Sequence, residues 1–134
     1  MLRPKWAEAL PHIEARFDAN LAEFGARVEK IKDVSFCALA RLLTENRRFD
    51  LVYVDGSHHS ADVQADAVFS WPMINVGGIV IFDDYEWTFY PGETSRPKLG
   101  IDAFLAVRPG QYRELHREYQ LIIEKIESPQ RQAL

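Results

Sequence analysis

The chain has 134 residues, the size of one ordinary domain, and 47% of them are hydrophobic and 27% charged, as in globular rather than disordered proteins. Its 16 Lys and Arg residues are outnumbered by 20 Asp and Glu residues, so the basic excess of a general nucleic-acid binder is missing. The single cysteine excludes an internal disulfide and a cysteine-based zinc cluster. The apolar stretches are too short for a membrane span or a signal peptide. We therefore expect a soluble cytoplasmic protein with no nucleic-acid or membrane partner.

The first third of the chain predicts two helices with a short strand between them. An apolar stripe predicts a helix over residues 6–24, ended by Gly25; the stripe comprises Ile13, Phe17, Leu21 and Phe24. Alternating residues over roughly 27–31 predict the strand. The second helix spans residues 35–45 with Ser35 as its N-cap, and its buried face consists of Leu39, Leu42 and Leu43.

A strand and a helix follow in the middle of the chain. Residues 49–55 form a continuous apolar run that ends in Asp55 and is followed by Gly56. Such a run is typical of a strand buried on both faces, as parallel sheets require. Residues 60–71 predict a helix with Pro72 near its end, and its sheet-facing residues are Val63, Ala67 and Ser70.

A second strong strand also ends in acidic residues. Residues 76–78 predict a turn, and residues 79–82 predict a strand that runs into Asp83 and Asp84. Helices and strands alternate, so the fold class is α/β with a mostly parallel sheet. Ligands bind beyond the carboxyl ends of the strands in such sheets, which is where these acids lie.

The last third predicts a loop, a helix and a hairpin. Residues 85–98 form a long loop rich in aromatic residues, and residues 101–107 form a short helix. Pro109 and Gly110 make a turn before two antiparallel strands, which span residues 112–116 and 119–126.

Three carboxylates are expected to converge at the ligand edge if the two strong strands are neighbours. Asp55 ends one strand, and Asp83 and Asp84 end the next. Close carboxylates repel one another, and a hard cation such as Mg²⁺ or Mn²⁺ removes that cost. A single acid at a strand end is more often a turn or helix-capping residue, but three on adjacent strands favour a metal site.

Two further groups lie at the same edge. His58 follows Asp55 by three positions and titrates near neutrality, so it is a candidate general base, or else a capping or solvated residue. The other histidines are expected to be structural or exposed: His12, His59 and His116. Aromatic residues such as Tyr85 and Trp87 provide a substrate platform or close the end of the core.

At this point the residues match a known family. The segment FDLVYVDGSHHSADVQADAVFSWPMINVGGIVIFDDYEW resembles the second half of class I S-adenosylmethionine-dependent methyltransferases, most of all the branch of macrolide sugar O-methyltransferases. The resemblance continues through RPKLGIDAFLAV and YQLIIEKI, and upstream through IEARFDANLAEFGARVEKIKDVSFCALARLL, so it covers roughly residues 11–127. The combination of DGSH, a GG turn and a strand-ending DD is specific, whereas either part alone is weak.

The resemblance implies a Rossmann-like sheet with an antiparallel C-terminal hairpin and methyl transfer from S-adenosylmethionine to a hydroxyl of a small molecule or sugar. The cation, Mg²⁺ or another divalent ion, would be held by Asp55, Asp83 and Asp84, and His58 would take the proton. Residues expected at the cofactor are Asp33, Ser35, Asp55 and Gly56. Residues expected at the acceptor are Tyr85 and Trp87.

The chain departs from the family pattern at its start. The family's first two strands, with a glycine-rich turn and a ribose-binding acid, should precede residue 11, where MLRPKWAEAL contains no glycine. We therefore expect residues 1–134 to form a single, partial, N-terminally truncated domain. The strand that ends at Asp55 would then be a sheet edge, which favours a homo-oligomer.

Three functions remain open at this stage. The first is an O-methyltransferase, the second a non-catalytic truncated remnant of one, and the third a metal-dependent hydrolase that uses Asp55, His58, Asp83 and Asp84. The family pattern favours methyltransferase ancestry over the hydrolase but does not decide between an active enzyme and a remnant.

Overall fold

A computed structural model describes residues 10–127 of the chain. The chain divides into two compact units, Met1–Lys32 and Asp33–Leu134, which are described separately. The helices of the described residues are all too short or too polar to cross a membrane.

The first unit is helical where it is described. A 3₁₀ turn, Leu10–His12, leads into α1, Ile13–Leu21, and a second 3₁₀ segment, Ala22–Arg27, follows. The predicted helix over 6–24 is confirmed as an α-helix only over residues 13–21, with 3₁₀ turns on either side, and residues 6–9 lie outside the described residues. Gly25, which was predicted to end the helix, lies inside the second 3₁₀ segment. Gly25 has φ +52°, a conformation that glycine adopts readily, and it kinks the second 3₁₀ segment.

The strand predicted over 27–31 is wrong. Residues 28–32 have no regular secondary structure, and none of residues 10–32 belongs to a strand. Here Lys30 Nζ donates instead to Glu14 Oε1 at 3.1 Å and to Asp18 Oδ1 at 2.6 Å. These side-chain bonds tie the segment to α1 of the same unit.

The second unit contains the remaining elements in the predicted order. The helices are α2, Ser35–Thr44; α3, Ser60–Ser70; and α4, Pro97–Ala106. The strands are β1, Phe49–Val54; β2, Ile74–Phe82; β3, Tyr112–Arg117; and β4, Leu121–Lys125. Ser35 is the first residue of α2 rather than its N-cap, which is Val34 and makes no side-chain capping bond.

The four strands form one mixed sheet in the order β1-β2-β4-β3. β1 and β2 are parallel because α3 carries the chain across between them. β4 is antiparallel to both β2 and β3, which confirms the C-terminal hairpin. In the described part of the chain, one strand pair is parallel and two are antiparallel, so the expectation of a mostly parallel sheet is corrected.

The core of this unit lies on one face of the sheet. Its members from the strands are Val54, Ile74, Val80, Phe82, Leu121 and Ile123, and those from α3 and α4 include Val63, Ala67, Ile101 and Phe104. The side chains on the other face of β1 are exposed, with Leu51 at 56% and Tyr53 at 46%. The prediction that this strand is buried on both faces is therefore wrong in the described structure, where β1 is an edge strand with alternating burial.

The predicted turn over residues 76–78 lies inside β2. The pairing with β1 shifts there, from Phe49 opposite Ile74 to Leu51 opposite Ile79, so β2 carries extra residues in a bulge. Gly78 is required at this point, because a Cβ would lie only 2.8 Å from the Asn75 carbonyl oxygen.

Candidate active site

The adjacent parallel strands β1 and β2 end side by side and bring three acids together. Val54 pairs with Phe82, and the Asp83 amide donates to the Val54 carbonyl at 3.0 Å. One carboxylate oxygen from each of Asp55, Asp83 and Asp84 lies within 4.8 Å of the others. The predicted convergence of these acids is thus found in the structure.

The electrostatics of this acid cluster suit a cation. Burial raises the pKa of Asp55, and the neighbouring Asp83 and Asp84 raise it further. Such mutual repulsion is relieved when a positive ion lies between the carboxylates. Their oxygens are the hard ligands that Mg²⁺ prefers, so the donor set fits a divalent cation.

Asp83 is held by two residues that the sequence analysis did not single out. The Tyr53 hydroxyl donates to Oδ2, and Gln120 Nε2 donates to Oδ1 at 3.2 Å. The bond from Tyr53 is the largest cause that lowers the pKa of Asp83, and the same bond raises the pKa of Tyr53 to about 12. Tyr53 and Gln120 are 67 positions apart, so no local pattern connects them.

Asp84 is bonded to the predicted base. His58 Nε2 lies 2.8 Å from Asp84 Oδ2, and because an ionised carboxylate only accepts, the ring nitrogen donates. Asp84 has φ +55°, which is unusual for a residue other than glycine. The Trp87 amide closes this turn by donating to the Asp84 carbonyl at 2.9 Å.

The aromatic loop after β2 packs onto the same histidine. The rings of His58 and Trp87 stack with centroids 4.3 Å apart. Trp87 also contacts Phe89 and Tyr90 edge-on, and Phe89 is 83% exposed. Trp87 therefore lies beside His58 and the acid cluster.

Tyr85 has a different environment from the other aromatic residues. Its side chain is 1% exposed and belongs to the core, and its hydroxyl donates to Asp102 Oδ1 at 2.7 Å while accepting from Arg117. The prediction that Tyr85 contacts an acceptor does not fit this burial. It closes the end of the core, which was the alternative interpretation of these rings.

A small cavity lies beside two of the predicted cofactor residues. It has a volume of about 130 Å³ and is lined by Val34, Ser35, Phe36, Ser57, Asp62 and Asp66. A Cβ at Gly56 would lie 3.5 Å from Asp66 Oδ2 and 3.8 Å from Ser35 Oγ. The structure thus brings Ser35 and Gly56 together, whereas Asp33 is exposed, is not among the lining residues, and accepts the Val34 amide at 2.8 Å.

Asp66 is a further residue at this cavity that the sequence analysis missed. It is buried, and burial raises its pKa, with Asp62 adding to the effect and Ser35 opposing it through a hydrogen bond. The available signal was its position on the buried face of α3, where an acid is unusual between Val63 and Ala67.

A second cavity lies at the far end of the aromatic loop. Its volume is about 180 Å³, and its lining residues are Glu93, Arg96, Lys98, Leu99 and Asp102. The Ser60 hydroxyl holds this part of the loop against α3 by donating to the Glu93 carbonyl at 3.0 Å and the Arg96 carbonyl at 2.6 Å. This cavity has a mixed charge, with two cations and two carboxylates.

The α/β sheet carries the three acids at the carboxyl ends of its parallel strands, where ligands bind in such folds. The family described as "Methyltransferase domain" matches residues 4–85, and the chain belongs to this family. A comparison with curated proteins gives no match.

Solved structures share the fold. A protein from Corynebacterium glutamicum is 17% identical with a TM-score of 0.64, over 87% of this chain and 57% of that one. The O-methyltransferase NovP is 17% identical with a TM-score of 0.60, over 85% and 45%. MycE methyltransferase from the mycinamycin biosynthetic pathway, in complex with Mg, SAH and mycinamycin VI, is 24% identical with a TM-score of 0.55, over 79% and 33%. The chain thus spans about a third to just over half of the length of these structures.

Proposed function

We propose that this chain is an S-adenosylmethionine-dependent O-methyltransferase domain that uses a divalent cation and acts on a hydroxyl of a small molecule or sugar. The observation that carries the proposal is the meeting of Asp55, Asp83 and Asp84 at the ligand edge of a methyltransferase-family sheet. The MycE structure with Mg and SAH supports a metal and a methyl-donor product in a protein of this fold.

The three acids would hold the cation, and His58 would receive the proton. A bound cation supplies Lewis-acid chemistry that lowers the pKa of an acceptor hydroxyl. Because His58 Nε2 donates to Asp84, a neutral ring keeps its lone pair on Nδ1, which is the atom that would accept the proton. The Asp84 carboxylate then stabilises the resulting imidazolium.

The cofactor and acceptor would lie on either side of the acids. The cavity at Ser35, next to Gly56, supports cofactor binding there. Asp33 and Asp55, which do not line this cavity, are proposed as further cofactor contacts from the family resemblance. Trp87 and the cavity at Arg96 and Lys98 support an acceptor site formed by the aromatic loop. Alignment of the methyl donor and acceptor contributes more to such a displacement than covalent catalysis does.

Calorimetric titration with S-adenosylmethionine, with and without Mg²⁺, tests the proposal. We expect binding of both, and we expect the double variant Asp83→Asn, Asp84→Asn to lose metal binding while it keeps cofactor binding. Metal binding without cofactor binding would contradict the proposal and favour the non-catalytic domain or the hydrolase. Unchanged metal affinity in the double variant would refute the metal site.

A homo-oligomer formed through β1 is part of the same proposal. β1 is the edge strand of the described sheet, so its outer backbone groups have no strand partner there. Leu51 and Tyr53 add exposed apolar surface beside that edge. Pairing with the β1 of a second copy would satisfy these backbone groups.

A further inference from the structure

The turn between β3 and β4 contacts three consecutive residues at the end of β2. Gln120 Nε2 donates to Asp83, the side chain of Tyr119 is hydrogen-bonded to Asp84, and the Tyr119 carbonyl accepts the Tyr85 amide at 2.8 Å. These contacts join the residues after β2 to a turn much later in the chain, since Gln120 and Asp83 are 37 positions apart. The hairpin therefore takes part in fixing the acids as well as completing the sheet.

Tyr53 and Gln120 form a closed set of hydrogen bonds around the Asp83 carboxylate. The Tyr53 hydroxyl donates to Oδ2 and accepts from Gln120 Nε2 at 3.1 Å, and the same Nε2 donates to Oδ1 at 3.2 Å. Oδ1 also accepts the Asp84 amide at 2.9 Å, so three donors hold the two oxygens of this carboxylate. Both lone pairs of Oδ1 are thus engaged, whereas Oδ2 accepts one donor and keeps a lone pair that can bind a cation.

We propose that Tyr53 and Gln120 are positioning residues that orient Asp83 to bind a divalent cation, an inference that rests on the proposed metal site. Neither residue is a metal ligand, because a protonated hydroxyl and an amide nitrogen donate their hydrogens to the carboxylate. Their contribution is to fix a ligand that would otherwise lose rotational freedom when the ion binds.

Both residues allow substitutions with little effect on the core. Tyr53 is 46% exposed and Gln120 lies in a turn, so neither is part of the apolar cluster on the covered face. Tyr53→Phe removes the hydroxyl and keeps the ring. Gln120→Ala removes both amide hydrogen bonds. Gln64→Ala is a matched control, since Gln64 is exposed on α3 and lies outside the acid cluster.

Direct titration of the chain with Mn²⁺, followed by electron paramagnetic resonance and without cofactor or acceptor, tests the inference. We expect the Kd for Mn²⁺ to rise about tenfold or more in Tyr53→Phe and in Gln120→Ala, as outer-shell changes commonly cause. The Kd of Gln64→Ala should not change. The thermal midpoint of the metal-free chain should be the same in all four proteins, which separates positioning from a general loss of structure.

The double variant Tyr53→Phe, Gln120→Ala adds a second criterion. If both residues act through Asp83, its rise in Kd should be smaller than the product of the two single rises. Wild-type affinity in both single variants, or a fully multiplicative double variant, would overturn the inference and leave the metal site standing. Absence of Mn²⁺ binding to the wild-type chain would overturn both the inference and the proposed metal site.

Discussion

His58 and Asp84 are 26 positions apart in the chain, yet Nε2 of the histidine lies 2.8 Å from Oδ2 of the aspartate. The bond joins the loop after β1 to the turn after β2, and Trp87 covers the imidazole from one side. It fixes the tautomer of the ring and places a carboxylate where a positive charge on His58 would develop.

Under the proposed function, replacing His58 with Ala should slow methyl transfer. A general base contributes roughly 10²–10⁴-fold to a rate, so we expect a loss of about that size in the single-turnover rate. Cofactor affinity, measured by calorimetry, should stay unchanged because His58 is not among the residues lining the Ser35 cavity. His59→Ala is the matched control, and an undiminished rate in His58→Ala would exclude the base.

The backbone of Asp84 is strained, and the free-energy cost of this strain can be measured separately from the contribution of the side chain. At φ +55° a side chain other than glycine's costs roughly 1–2 kcal/mol, so Asp84→Gly should be more stable than Asp84→Ala by about that amount. Both variants lose the carboxylate and its bond to His58, so their difference isolates the backbone. Urea unfolding of the two metal-free proteins measures it, and equal stabilities would show that the turn has relaxed.

Tyr85 should make stability depend on pH in the alkaline range. Burial and the bond to Asp102 raise its pKa from 10.0 to about 12. Above pH 10 the unfolded chain loses this proton while the folded chain keeps it, so stability falls as pH rises from about 10 to about 12.

Replacing Tyr85 with Phe tests this dependence. The variant should be less stable at neutral pH, by roughly 1–3 kcal/mol, because Asp102 and Arg117 lose a buried partner. It should also show a shallower decline above pH 10 than wild type in urea unfolding at stepped pH values. Tyr90→Phe, which changes an exposed loop residue, should decline like the wild type. An identical slope in Tyr85→Phe would contradict the assignment.

A charge on the exposed face of β1 should weaken self-association. Leu51→Lys places an ammonium group beside the unpaired edge, where lysine opposes strand pairing. Light scattering over a concentration series should show wild-type chains larger than monomers and Leu51→Lys shifted toward the monomer. Val107→Lys, at a position after α4 that is also exposed (70%, against 56% for Leu51), is the control. A wild-type monomer at all concentrations would contradict association through this edge.

The acid cluster was predictable because its parts are local. Asp55, Asp83 and Asp84 each follow an apolar run, and parallel neighbours end at the same sheet edge. The exposure of Leu51 does not follow from the apolar run, because the run has the same composition whether one face or both are covered. It agrees instead with the separate expectation that β1 is a sheet edge with uncovered apolar surface. The failed strand over 27–31 has a similar cause, because alternation in five residues carries no information on whether a partner strand exists.

Sequence patterns could not predict the hydrogen-bond partners of the acids. Tyr53 lies in β1 and Gln120 in the last turn, and only the folded sheet shows that both reach Asp83. Asp66 was closer to detection, because a carboxylate on the buried face of α3 departs from the apolar pattern around it. A charged residue that interrupts the apolar face of a helix is therefore a useful indicator of a site.

Hydrogen bonds hold the aromatic loop at both of its ends. At one end Trp87 is bonded to Asp84, and at the other Ser60 holds Glu93 and Arg96. Gly100 lets α4 approach α3 so closely that a Cβ would lie 2.1 Å from the Ser60 carbonyl oxygen. Residues 88–92 lie between these two anchors, so under the proposed function changes there would alter the acceptor side while the anchors keep the ends of the loop in place.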